Sequence, residues 1–339
     1  MDIPRRTFLG AVGAAAVAAS VPRGLEAASH GAGSIAPAAQ DSQSKVKFWV
    51  AACTPCDKNL KFDEAAYKDM MGWFKSQGAD GIVVLGTTGE YPSFSIAERK
   101  KAAEVALKHS NGMDMIIQSG TTNFVETIEL SKHAADNGAN GLLVIPPFYY
   151  KKPDTAGLTK YYSLLFEAVK LPINLYHIPG TSGVPISLEL LHSLEHYPNL
   201  AGIKDSDPPA QDYENFANEF PKLNMRTGIS ANLERAFNHN MGAILMEGNV
   251  FTKQIANIFA AKRAGRDVTE PIATFREAMK IMRPAGVGSY GPMKYALSLQ
   301  MGTPQTYQRP PFPDVTDEQK AKIKEGLAQI KSIATTTHM

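Results

Sequence analysis

The sequence predicts an α/β protein: a (β/α)₈ TIM barrel with a C-terminal helical appendage. Three observations predict it. After Lys45, eight short apolar runs alternate with longer amphipathic stretches at a steady spacing. One unit recurs: Gly78-Ala79-Asp80-Gly81-Ile82-Val83-Val84 returns as Gly138-Ala139-Asn140-Gly141-Leu142-Leu143-Val144. Beyond Arg263 the pattern turns purely helical. A repeated strand–helix unit with buried parallel strands closes naturally into a barrel. A doubly wound open sheet competes, but no G-x-G-x-x-G follows the first strand.

The elements follow in order along the 339 residues. In residues 1–40, Arg5-Arg6-Thr7-Phe8-Leu9 precedes a weakly apolar stretch at 11–20, and small-residue sequence continues to Gln40. This is the pattern of a twin-arginine export signal and linker, with cleavage after Ala38, in Ala36-Pro37-Ala38, or earlier near Ala28. The apolar stretch is about half a bilayer span, so no stable membrane anchor is expected, and the mature protein is expected to be periplasmic or secreted. Residues 45–265 hold the barrel, with strands expected at 48–53, 82–86, 115–119, 142–145, 173–178, 201–204, 225–229 and 243–247. Asp63 opens one helix, Ser95 and Glu98 have capping-box spacing, and Ser187 opens another. In the repeated unit the first glycine suits a left-handed helix cap, and the second lets the chain turn into a buried strand. Residues 266–339 are expected to form helices around 272–282, 290–299 and 316–332.

A hydrophobic fraction of 44% against 20% charged residues suits a chain with a sizeable core and excludes disorder for the bulk. The formal net charge is +2 and no basic face with interleaved aromatics is present, so nucleic acid is not an expected partner. Cys53 and Cys56 are spaced C-x-x-C in a chain expected in an oxidising compartment. A redox pair, a structural disulfide and two separately packed thiols all fit that spacing. Against the first, 48–53 reads as a strand running into Thr54-Pro55, whereas redox cysteines of this spacing open a helix.

In such barrels, reactive groups sit where strands end and βα loops begin. The expected ends carry Thr54-Pro55, Gly86-Thr87-Thr88-Gly89-Glu90, Pro146-Pro147-Phe148-Tyr149-Tyr150, Tyr176-His177-Ile178-Pro179-Gly180 and Lys204-Asp205-Ser206. A lysine inside a barrel mouth is driven by desolvation toward its neutral amine, which can attack a ketone and give an imine that acts as an electron sink. By position alone, Lys204 reads equally as that imine-forming amine and as a strand-end lysine that reaches solvent or pairs with Asp205. His177 and Asp205 alternate to the face opposite Tyr176 and Lys204 and are expected to pack away from the mouth. Glu247 either contacts a polyhydroxylated substrate or pairs with Arg226. His192-Ser193-Leu194-Glu195-His196 has the H-x-x-E-H zinc spacing, but Pro198 follows almost at once and no third ligand is evident. No metal and no cofactor are expected.

Cys53-Thr54-Pro55, GTTGE at 86–90, LPINLYHIP at 171–179 and GIKDS at 202–206 resemble, in order and spacing, the dihydrodipicolinate synthase and N-acetylneuraminate lyase family. The resemblance covers roughly 47–327 and includes Arg309-Pro310-Pro311. It implies a (β/α)₈ barrel, a homo-oligomer (tetramer or dimer), and metal-independent class I chemistry on a small-molecule 2-oxo acid of the pyruvate type. It makes Lys204 the Schiff-base lysine, Tyr176 the proton-shuttling tyrosine, and Thr87 and Thr88 the groups that hold the carboxylate and relay protons. Tyr149 matches a tyrosine that reaches into a neighbouring subunit's site; padding an interface is the other use of Tyr149-Tyr150. Thr54, Thr181 and Glu247 complete the expected substrate-binding set with Thr88. Synthases of this family carry an arginine two residues after the proline of the tyrosine motif, where it binds a second carboxylate. Here Thr181 stands there, and threonine cannot supply a bidentate guanidinium. The expectation is an exported Schiff-base lyase or aldolase. Synthase-type condensation and dehydration of a 2-oxo sugar acid are the enzymatic alternatives, and a catalytically silent periplasmic binding protein is the non-enzymatic one.

Overall fold

The computed structural model describes residues 45–208 and 210–336; the expected export signal and linker lie outside them. Eight parallel strands close into a barrel in chain order: β1 (Phe48–Ala51), β2 (Gly81–Val84), β3 (Asp114–Gln118), β4 (Gly141–Val144), β5 (Ile173–His177), β6 (Leu200–Asp205), β7 (Asn224–Thr227) and β8 (Gly242–Leu245), the last pairing with β1. All eight expected strands are present. Seven stop one or two residues before their apolar runs do, because Ala52, Cys53, Leu85 and Ile145 stay buried after leaving the ladder. β6 instead runs one residue further than expected, since Tyr176 still pairs with Lys204 and His177 with Asp205.

Helices α1 (Glu64–Ser76), α2 (Ile96–Lys108), α3 (Phe124–Asp136), α4 (Thr155–Ala168), α5 (Pro179–Ser182), α6 (Leu188–Leu194), α7 (Ala210–Glu219), α8 (Leu233–Asn238) and α9 (Gly248–Arg263) lie between or after the strands. The expected start signals act as caps. Asp63 accepts from Ala66 N, Ser95 and Glu98 form a reciprocal box, and Ser187 accepts from Leu190 N. Gly78 and Gly138 hold φ of +90° and +83°, the left-handed caps expected of the repeat. The second glycine has a different reason from the one expected. A Cβ on Gly81 would lie 2.2 Å from Trp49 Cδ1, so the residue makes room rather than a turn. That room is filled: the Arg226 guanidinium lies 4.4 Å from the Trp49 ring centroid and donates to Asn174 Oδ1, so side chains close the barrel floor.

Of three further helices, α10 (Thr269–Met282), α11 (Tyr290–Met301) and α12 (Asp317–Thr336), the last packs on the other two, and α10 and α11 pack on α9. α11 is buried from Gly291 to Ser298, so the appendage shares a core with the barrel. Among the described residues no helix is long and apolar enough to cross a membrane. Cys53 and Cys56 are free, buried thiols. Burial pushes Cys53 up to about 12 and raises Cys56, which disfavours the reactive thiolate.

Candidate active site

Tyr176 on β5 and Lys204 on β6 are register partners, so both side chains leave the sheet on its inner face. Only 2% of Tyr176 and 4% of Lys204 is exposed. Lys204 Nζ donates to Tyr176 OH at 3.1 Å and lies 4.3 Å from the ring centroid. Thr87 Oγ1 donates to the same oxygen at 3.4 Å. Burial pushes the Tyr176 phenol up, but the Lys204 charge and hydrogen bonds from Thr87, Lys204 and Ser206 outweigh it and hold the phenol below its usual value. Donors converging on one phenol oxygen favour its ionised form.

The turn at 86–90 follows β2. Gly89 N donates to Gly86 O and Glu90 N to Thr87 O, each at 3.0 Å. Thr54, fully buried, donates to Gly89 O at 2.8 Å, so it braces this turn from the segment after β1 rather than facing a substrate. Thr88 is 6% exposed. The amide N–H groups of Thr87 and Thr88 donate to no backbone acceptor among the described residues. Free amides beside a buried amine suit a small carboxylate.

The remaining expected residues are not gathered at this centre. Tyr149 is 74% exposed, and its ring contact is the equally exposed Tyr150. Thr181 is exposed on α5. Glu247, after β8, accepts from Ser230 Oγ at 2.7 Å. The pairing of Glu247 with Arg226 is corrected: the guanidinium points into the barrel floor, where Asn174 and Trp49 hold it. Two residues at the centre carried no role in the sequence reading. Ser206 reaches the Tyr176 phenol, and its position two residues after Lys204 was the available signal. A Cβ on Gly228, after β7, would sit 1.9 Å from Ser206 Oγ and 3.1 Å from Lys204 Cε, and nothing local in the sequence indicates that crowding.

His177 and Asp205 pack outward, as alternation requires. His177 Nδ1 accepts from Ile186 N at 3.0 Å, and Nε2 lies 3.2 Å from Asp212 Oδ2. Nδ1 therefore keeps its lone pair and Nε2 carries the proton of the neutral ring. A cation among His177, Asp207 and Asp212 would need the opposite tautomer, so these residues do not fit a metal site although their ligand atoms lie within 4.8 Å of one another. Asp205 is raised to about 7 by burial and by the charges of Asp207 and Asp212, against a hydrogen bond from Asp207 N. In the H-x-x-E-H segment, His192 contacts Glu219 and His196 stacks on Tyr197, so the spacing does not gather ligands.

Residues 45–330 match the model of the dihydrodipicolinate synthetase family. An uncharacterized DapA-like lyase from Chloroflexus aurantiacus is 31% identical over 76% of this chain and 87% of its own length. A 4-hydroxy-tetrahydrodipicolinate synthase from Bradyrhizobium diazoefficiens is 29% identical over 84% and 97%. The crystal structure of YagE, an Escherichia coli K12 prophage protein of the dihydrodipicolinic acid synthase family in complex with pyruvate, matches with a TM-score of 0.75 at 27% identity, over 84% of this chain and 98% of that one. The matched span includes the whole barrel and most of the helical appendage. The chain belongs to the dihydrodipicolinate synthetase family, whose members are class I, Schiff-base-forming lyases and synthases.

Proposed function

We propose that the chain is an exported Schiff-base lyase that breaks or makes a carbon–carbon bond beside a pyruvate-type 2-oxo acid. The observation that carries this reading is an amine 3.1 Å from a phenol that the Lys204 charge and converging hydrogen bonds hold below its usual pKa, both nearly closed to solvent. The substrate carboxylate rests on the Thr87 and Thr88 amides while Lys204, passing a proton to Tyr176, adds its nitrogen to the keto carbon. Loss of water gives the iminium. For cleavage, the Tyr176 phenolate takes the proton of the C4 hydroxyl, the C3–C4 bond breaks, and its electron pair enters the iminium as an enamine while an aldehyde leaves. Protonation at C3 and addition of water to the imine release pyruvate and the free amine. Thr87 extends the proton path from the phenol.

Thr181, where synthases of the resemblance carry arginine, favours a neutral partner over one with a second carboxylate. Arg5-Arg6 and the following segment support export, and the exposed Tyr149 supports association with a second copy. Borohydride reduction with pyruvate is expected to add the reduced adduct's mass to the peptide containing Lys204, and Lys204→Ala to abolish the adduct. An unmodified wild-type peptide refutes the covalent mechanism. Pyruvate released from a panel of hydroxylated 2-oxo acids identifies cleavage, and water loss without pyruvate identifies dehydration.

A further inference from the structure

We propose that Tyr290 and Lys294, on α11 of the C-terminal appendage, are positioning residues for the carboxylate-holding turn at 86–90, an inference that rests on the function proposed above. A trans peptide is planar, and its C=O and N–H point in opposite directions. Whatever grips Thr87 O therefore fixes where Thr88 N–H points. Two donors grip that oxygen: Glu90 N at 3.0 Å and Tyr290 OH at 3.2 Å.

Glu90 needs a hold of its own. Its φ of +55° and ψ of 33° lie in the left-handed region, which a side-chain-bearing residue adopts only at a cost. Its carboxylate is pinned from the appendage: Oε1 pairs with Lys294 Nζ, both side chains being 0% exposed, and Oε2 accepts from Arg309 N at 3.1 Å. Lys294 Nζ also donates to Tyr307 O at 2.8 Å, so the ammonium is held from two sides. Tyr290 and Lys294 are four residues apart and share one face of α11. The Tyr290 ring is seated 4.0 Å from that of Phe312. An apolar face alone would cover the barrel equally well. A buried ion pair is a weak stabiliser but a strict one in register, and this pair sets the register of the turn whose amides meet the substrate.

The test uses the full-length protein well below its unfolding temperature and reads two quantities. One is the pyruvate concentration that half-saturates borohydride trapping at Lys204; the other is amide exchange of the peptide spanning 86–90. Tyr290→Phe keeps the ring on Phe312 and loses only the hydrogen bond to Thr87 O. It is expected to raise half-saturation about fivefold, the worth of one neutral hydrogen bond, and to speed exchange of the turn with little change in Tm. Lys294→Met is expected to raise both further; if it fails to fold, Tyr290→Phe decides. Folded variants with wild-type half-saturation and wild-type exchange overturn the proposal, whatever their Tm, because they reduce the contacts to stability alone. If the wild type traps no pyruvate, the proposed function fails, and exchange of the turn still decides whether α11 positions it.

Discussion

Asp205 shows how closely single residues are matched to their side of the sheet. One residue after the proposed nucleophile, it turns outward, is 1% exposed, and leaves Oδ2 without a hydrogen-bond partner. Its pKa is raised to about 7 from 3.8, so between those values the folded chain binds a proton that the unfolded chain does not. Stability contributed by this group is therefore full below about 4 and is lost as pH rises toward 7. Asp205→Asn keeps an acceptor for Asp207 N and cannot ionise. It is expected to raise Tm at pH 8 by a few degrees and to leave Tm at pH 4 nearly unchanged. A Tm gain equal at both pH values would show that ionisation of Asp205 is not the cause. Tyr176 is driven the opposite way although it too is buried, because the Lys204 charge and hydrogen bonds from Thr87, Lys204 and Ser206 act on its oxygen, whereas Asp205 has one hydrogen bond and two like charges beside it. The single lysine at a strand exit, the tyrosine beside it and the threonines at the turn were legible because strand-end position carries chemical meaning in a barrel. Ser206 was missed because β6 was expected to end at Lys204, so the alternation that puts a residue two positions on to the same face was not carried past the strand.

Among elements, periodicity revealed which strands and helices exist but not where their ladders stop. Apolar residues such as Cys53 and Leu85 remain buried past the last paired residue, so composition runs on where hydrogen bonding has ended. Contacts between distant elements were illegible for a different reason. Tyr290 with Thr87 and Glu90 with Lys294 each join residues about 200 positions apart, and no local pattern records them. The same holds for β6 against the exit of β7. Gly228 N donates to Asp205 O at 2.6 Å, which brings the backbone after β7 hard against Lys204 and Ser206. In Gly228→Ala the new methyl meets Ser206 Oγ and, at 3.1 Å each, Lys204 Cε and Ser206 Cβ. The first two can move aside, but the Ser206 Cβ contact makes the chain after β6 give by a few tenths of an ångström, so the fold is expected to stand with a Tm lowered by several degrees. Ser206 must rotate off the phenol and Lys204 must shift by a few tenths of an ångström. A misplacement of that kind is expected to lower kcat by at least about tenfold. Wild-type kcat in Gly228→Ala would show that the crowding at this strand exit has no bearing on the chemistry.

For the molecule as a whole, barrel and appendage share one core, yet among the described residues two aromatic side chains stand exposed. Tyr149 and Tyr150 follow β4 and are 74% and 70% exposed, edge to face at 5.4 Å. Adjacent exposed tyrosines are uncommon on a monomer and enriched where a partner docks. The family resemblance gives the same segment a second use, in which the Tyr149 hydroxyl serves a neighbouring subunit's site. The two uses separate by substitution. Tyr149→Phe keeps the ring, so a padding role leaves both the assembly mass by light scattering and kcat unchanged, whereas a proton-relay role lowers kcat about tenfold or more at constant mass. Replacing both tyrosines with alanine removes the apolar area and is expected to shift the assembly toward a smaller species in either case. Since Thr87, Tyr176 and Lys204 come from one chain, that smaller species should still trap pyruvate by borohydride while turning over more slowly if Tyr149 acts across the interface. A double variant of unchanged mass and unchanged turnover would remove Tyr149 from both the interface and the site.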